Sequence, residues 1–246
     1  MKYVAPNQPP TELIRWMAQC KTASSEIDYD TVGQVEIEGE NRDVKTAIKR
    51  QRLIDQGYIC PYTLVRVDDK SCHIEHIKPR ELSKLEGRRE ETLDYGNLIA
   101  CFPANGGDKA YGCGAPLRES KTLALSPRDP RCEVRVRYRS TGRVEAADGG
   151  ELVAQTLDTW LGLNCTWLLE RRKAALSGAG VSSSSSNPLS VAAAKALCES
   201  ILRFKPGQKL TPFCVAIAHV AQEHIDRLEK LAAQRRFGRQ SQHRDH

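Results

Sequence analysis

Residues 73–79 read His-Ile-Glu-His-Ile-Lys-Pro, and they lie in a stretch, 58–122, punctuated throughout by cysteine and glycine. Such a stretch can form only short elements, which suits a small domain held by metal more than by a core. Its chemistry is just as concentrated. A carboxylate can hold a hard divalent ion, and a neutral imidazole beside it can deprotonate a water. Glu75 and His76 are such a pair, with Pro79 just beyond, Asp94-Tyr95-Gly96-Asn97-Leu98 downstream, and Cys101 and Cys113 after that. On a strand His73 shares a face with Glu75. It is open to the same ion, to a nearby zinc, or to solvent.

Nine cysteines in 246 residues is a high and odd count. The opening MKYVAPNQPP lacks the basic-then-apolar pattern of a signal peptide, and no apolar run reaches membrane-spanning length. The expectation is a cytoplasmic protein with no membrane association, whose cysteines bind metal or are simply buried. Thirty-seven basic against 31 acidic residues leave a net charge of +6, which suits a polyanionic partner without demanding one.

Periodicity divides the chain into 1–57, an N-terminal helical segment; 58–180, the segment with the His-Ile-Glu-His run, a hairpin and helices; a serine-rich linker, 181–188; C-terminal helices, 189–233; and a basic tail, 234–246, expected to be disordered. Leu13, Ile14, Trp16 and Met17 mark a helix after Pro9-Pro10. Residues 24–40 read as a loop or weak hairpin, and Val44, Ile48 and Ile54 mark a helix stopped by Gly57. Val134, Val136 and Tyr138 alternate with Arg135, Arg137 and Arg139, predicting a hairpin that turns at Ser140-Thr141-Gly142 and offers one arginine face to phosphates. The basic residues of 78–89 are interleaved with glutamates and read as a solvated face. Leu152, Leu157, Trp160, Leu161, Trp167 and Leu168 predict two helices broken at Asn164. The stripe through Phe213, Ile217, Val220, Leu228 and Leu231 predicts a last helix that either docks a partner or folds back on helices 151–176.

The Glu75-His76 pair with its downstream asparagine resembles the HNH, or ββα-metal, nuclease motif. The resemblance implies an α+β fold: a small ββα-metal core with flanking helices. It makes Glu75 a metal ligand, His76 the general base and Asn97 the prop of the loop. Asn105 is preferred over Asp108 as the third polar residue, and Mg²⁺ or Mn²⁺ is the catalytic ion. Many HNH domains also carry a structural zinc on cysteines, for which Cys60, Cys72, Cys101, Cys113 and His73 are candidates. Thr63 stands where the second cysteine of a C-x-x-C would be. The alternative is a small core in which these thiols are buried and inert.

The order Cys101, Asn-Gly-Gly, Cys113-Gly114, Lys121, Leu125-Ser126-Pro127, the hairpin glycine, Leu161-Gly162-Leu163-Asn164 and Arg171-Arg172 narrows the likeness. It is similar to the HNH nucleases of Septu-type bacterial antiphage systems (PtuB-like), including retron-associated versions, from about Met1 to Leu176. That resemblance implies cleavage of nucleic acid, DNA first and RNA such as tRNA second, together with an ABC-type ATPase subunit (PtuA-like). The alternatives are a catalytically degenerate, zinc-stabilised adaptor for nucleic acid or a partner, and a purely structural ATPase-binding subunit.

Overall fold

The computed structural model describes residues 1–182, 185–205 and 207–242. Helices predominate, and the strands of the described residues pair into three separate two-stranded antiparallel sheets, so the fold is mixed α+β. Helix α1 (Thr11–Thr22) follows the proline pair and buries Leu13, Trp16 and Cys20, whereas Ile14 turns to solvent. Strands β1 (Gln34–Ile37) and β2 (Glu40–Asp43) form a regular hairpin. Asp43 then caps α2 (Val44–Asp55) by accepting the Thr46 N–H at 2.7 Å. Gly57 stops α2 in the left-handed region at φ +61°, and a Cβ there would lie 2.7 Å from Leu210 Cγ.

The central segment supplies β3 (His73–His76), α3 (Arg80–Leu85), two 3-10 turns (Arg89–Leu93 and Tyr95–Asn97), β4 (Leu98–Cys101) and the single turn α4 (Ala115–Arg118). β3 and β4 pair antiparallel, with His73 opposite Cys101 and Glu75 opposite Ile99. Every residue of β4 is buried. Leu98 packs with Leu13, Trp16 and Ile48, while Ile99 to Cys101 pack with Ile59, Tyr62 and Leu64. β4 is therefore the seam between two apolar clusters, and the segment read as dependent on metal is packed into cores shared with the N-terminal and C-terminal helices.

β5 (Val136–Tyr138) and β6 (Val144–Ala146) form the expected hairpin, turning at Gly142 with φ +83°. The strand begins later than the alternation implied: Val134 is 70 % exposed in the preceding turn, so only Arg137 lies on the strand's outer face. α5 (Glu151–Gln155) runs into a π-helical turn (Thr156–Trp160), and α6 (Thr166–Gly178) follows. Between them the Asn164 side chain accepts the Val144 N–H at 2.9 Å and donates to the Val144 carbonyl at 2.8 Å.

Of the serine run, Ser183 and Ser184 lie outside the described residues. The chain around them is tied back: the Leu189 N–H bonds the Gly180 carbonyl at 2.9 Å, and the Ser185 hydroxyl bonds the Ser177 carbonyl at 3.1 Å. α7 (Val191–Ile201) and α8 (Cys214–Gln242) complete the chain. Phe213, Val215, Ile217 and Val220 sit in the same cluster as Val136, Tyr138 and Leu168. Folding back onto the protein's own core is observed for the first part of that stripe, Phe213, Ile217 and Val220, whereas Leu231 further along is 44 % exposed. α8 stays helical to Gln242 where a disordered tail was expected, and 243–246 lie outside the described residues. No helix among the described residues is long and apolar enough to cross a membrane.

Candidate active site

A cleft of about 290 Å³ opens beside β3, lined among others by His73, Glu75, His76, Arg80, Gly106 and Arg118. His76 is only 7 % exposed, and its Nε2 lies 2.9 Å from the Thr92 carbonyl oxygen. A carbonyl accepts and never donates, so Nε2 carries the proton and Nδ1 keeps a lone pair. Tyr29 meets the imidazole edge-on at 4.6 Å. Burial pushes the His76 pKa from an ordinary 6.5 down to about 4, aided by Arg80 and Arg118 and opposed by the Thr92 bond. The ring is neutral at physiological pH.

The two oxygens of Glu75 are divided. Oε1 accepts from Arg118 Nη1 at 2.6 Å, while Oε2 faces His73 Nε2 at 3.7 Å, an ion-pair distance too long for a hydrogen bond. Arg118 is buried and further fixed by Tyr62 at 3.2 Å and the Lys121 carbonyl at 2.8 Å. His73 Nδ1 lies 2.5 Å from the Pro103 carbonyl, so that nitrogen is the donor. Burial disfavours a charged His73, but Glu75 and the Pro103 carbonyl outweigh it and raise its pKa.

Asn97 stands behind the cleft and not in it. Its Oδ1 accepts the Lys78 N–H at 2.6 Å and its Nδ2 donates to the Lys78 carbonyl at 3.1 Å, bracing the chain just after His76. Asn105 is exposed, and its Oδ1 is taken by the Gly107 N–H at 2.9 Å; its neighbour Gly106 is the residue that reaches the cleft.

No protein-family model matches the chain, and no curated protein does.

Four of the nine cysteines lie in two pairs. The Cys60 thiol neighbours that of Cys101, and Cys113 neighbours Cys165. Burial raises the Cys60 pKa, but bonds from Cys101 and from Thr63 outweigh it and bring it to about 6. Thr63, in the place of a second cysteine, thus still serves Cys60. Among the described residues no three or more of His, Cys, Asp and Glu gather into one metal-holding group. The proposed zinc set of Cys60, Cys101, Cys113 and His73 consequently rests on the family resemblance alone.

On the hairpin, Arg139 bonds Glu145 at 2.9 Å and Arg135 lies 4.0 Å from Asp129, whereas Arg137 is exposed and makes no ion pair among the described residues. The basic residues of 78–89 are ion-paired: Lys78 Nζ is 2.6 Å from both Glu86 and Glu91.

Three contributors escaped the sequence reading. Arg118 had a usable signal, since it is the one charge on the turn that follows Cys113. Thr92 acts through its carbonyl and Tyr29 lies far upstream, so neither carried one.

Proposed function

We propose that this chain is a metal-dependent endonuclease of the HNH type. β3, β4 and α4 would be its ββα element, with the helix cut to one turn. The observation that carries the reading is a buried, neutral imidazole whose tautomer is set by the Thr92 carbonyl and whose neighbour in sequence is a carboxylate at the same cleft. His76 Nδ1 can take the proton of an attacking water, and the Nε2 bond to Thr92 holds the ring in the orientation for doing so. Arg118 fixes Glu75 through one oxygen and leaves the other facing the cleft. Asn97 keeps the strand end in register by gripping Lys78.

The donor set fits a hard divalent ion, because Glu75 Oε2 takes no hydrogen bond among the described residues. Mg²⁺ or Mn²⁺ held there would neutralise charge on a phosphodiester and its leaving oxygen. Nucleic acid is the substrate, DNA first and RNA second, and the exposed Arg137 is a backbone contact outside the cleft. The role as effector of an antiphage system beside an ABC-type ATPase is supported by the order of sequence motifs, as is a structural zinc on the cysteines.

One observation favours the adaptor reading: Glu75 is already paired with a buried arginine. A nicking assay separates the two. Plasmid DNA is incubated with the purified chain, with and without the ATPase, in Mg²⁺, Mn²⁺ and EDTA. Metal-dependent nicking that His76→Ala lowers by about 10²–10⁴ supports the nuclease. Equal activity of the variant removes His76 as base, and no cleavage under any condition leaves the adaptor.

A further inference from the structure

We propose that His73, and not Asn105, is the second protein ligand of the cation held by Glu75, and that it makes the site prefer Mn²⁺ to Mg²⁺. The inference rests on reading Glu75 as the cation-holding carboxylate. Its starting point is an orphan: His73 Nε2 is buried and has no hydrogen-bond partner. Its other nitrogen donates to the Pro103 carbonyl, the arrangement by which metal-binding histidines are usually oriented.

Distance supports the pairing. His73 Nε2 and Glu75 Oε2 are 3.7 Å apart. Two ligands that each sit about 2.1 Å from one ion can be no more than about 4.2 Å from each other. Arg118 occupies Oε1 and leaves Oε2 as the available donor. Gly106 keeps the gap open, since a Cβ there would come within 3.0 Å of His73 Nε2. Asn105 has its oxygen turned into its own loop. Waters and phosphate oxygens would supply the remaining positions. An imidazole in the set moves selectivity away from Mg²⁺, which prefers oxygen alone, toward transition ions. A proton is the competitor for the same gap, so cation binding should release protons.

The test uses the full chain without nucleic acid. MnCl₂ and MgCl₂ are titrated calorimetrically, and the Mn²⁺-loaded protein is examined by pulsed electron paramagnetic resonance for ¹⁴N coupling. The wild type should bind Mn²⁺ about tenfold or more tighter than Mg²⁺ and show imidazole nitrogen coupling. His73→Gln should lose the coupling and about tenfold or more of the Mn²⁺ affinity, with its Mg²⁺ affinity little changed. Gly106→Ala should weaken Mn²⁺ with His73 still present, which guards against a folding defect in the first variant. Mn²⁺ bound without nitrogen coupling, coupling that survives His73→Gln, or no Mn²⁺ binding by the wild type would each overturn the assignment. Cleavage that persists without coupling removes His73 alone. Coupling without any cleavage removes the nuclease reading and leaves the cation site.

Discussion

Asn97 holds the peptide of Lys78 from both sides, accepting its N–H at 2.6 Å and donating to its carbonyl at 3.1 Å. Two residues before Lys78 stands His76, so the grip sets where β3 ends and where its imidazole points.

Asn97→Ala should therefore lower cleavage by about 10–100-fold, the usual cost of losing a group that orients a reacting one. It should also destabilise the fold by about 1–3 kcal/mol through the unpaired Lys78 groups. Asn97→Asp keeps the acceptor and loses only the donor, and it should fall between. Rates and thermal midpoints on the same preparations check both.

His76 links stability to pH. Its folded pKa is about 4 against an ordinary 6.5, so below pH 6.5 the unfolded chain binds a proton that the folded chain refuses. Stability should fall as pH drops through that window, by up to about 3 kcal/mol, and be indifferent to His76 above it. His76→Gln should flatten the acid limb of a urea-midpoint profile relative to wild type; parallel profiles would contradict this. In catalysis the base is already neutral at pH 6–8, so rates should show no His76 inflection there.

Arg118 and Glu75 should couple. Arg118→Met leaves a carboxylate in a mostly buried place without its partner and should cost about 3–5 kcal/mol, while adding Glu75→Gln should recover much of that. Strictly additive chemical-denaturation values in the double-mutant cycle would show that the 2.6 Å contact contributes nothing.

Arg137 stands opposite Glu145 in the hairpin register, yet it makes no ion pair among the described residues because Glu145 bonds Arg139 instead. Arg137→Ala should reduce the slope of log affinity against log salt by about one for duplex DNA. Arg139→Ala should do less, because Glu145 already neutralises Arg139. Equal effects would mean the ion pair opens on binding.

The helices were legible where apolar spacing and a stop signal coincided, as at Leu13, Trp16 and Gly57. The hairpin was legible from alternation, yet its start was misplaced at Val134, since alternation does not report that the chain is still turning. Glu75, His76 and Asn97 could be found because each is named by its side chain. His73 was visible but ambiguous: only the Pro103 carbonyl decides which nitrogen faces Glu75, and a backbone carbonyl has no letter in the sequence. The partner of the α8 stripe was equally undetermined: its start is covered by the core and Leu231 is exposed, and amphipathicity does not say what covers a face.

Gly57 and Leu64, which flank the turn leading toward β3, are bonded through their carbonyls to the N–H groups of Leu210 and Phe213, each at 3.0 Å. These links join residues about 150 positions apart, so the core beneath the cleft cannot close until the chain through Phe213 has left the ribosome. A nascent chain that stops at the serine run carries His73, Glu75 and His76 but not the helix that covers their supporting core. For a proposed cutter of nucleic acid, cleaving power would then wait on the emergence of a segment about 150 residues downstream.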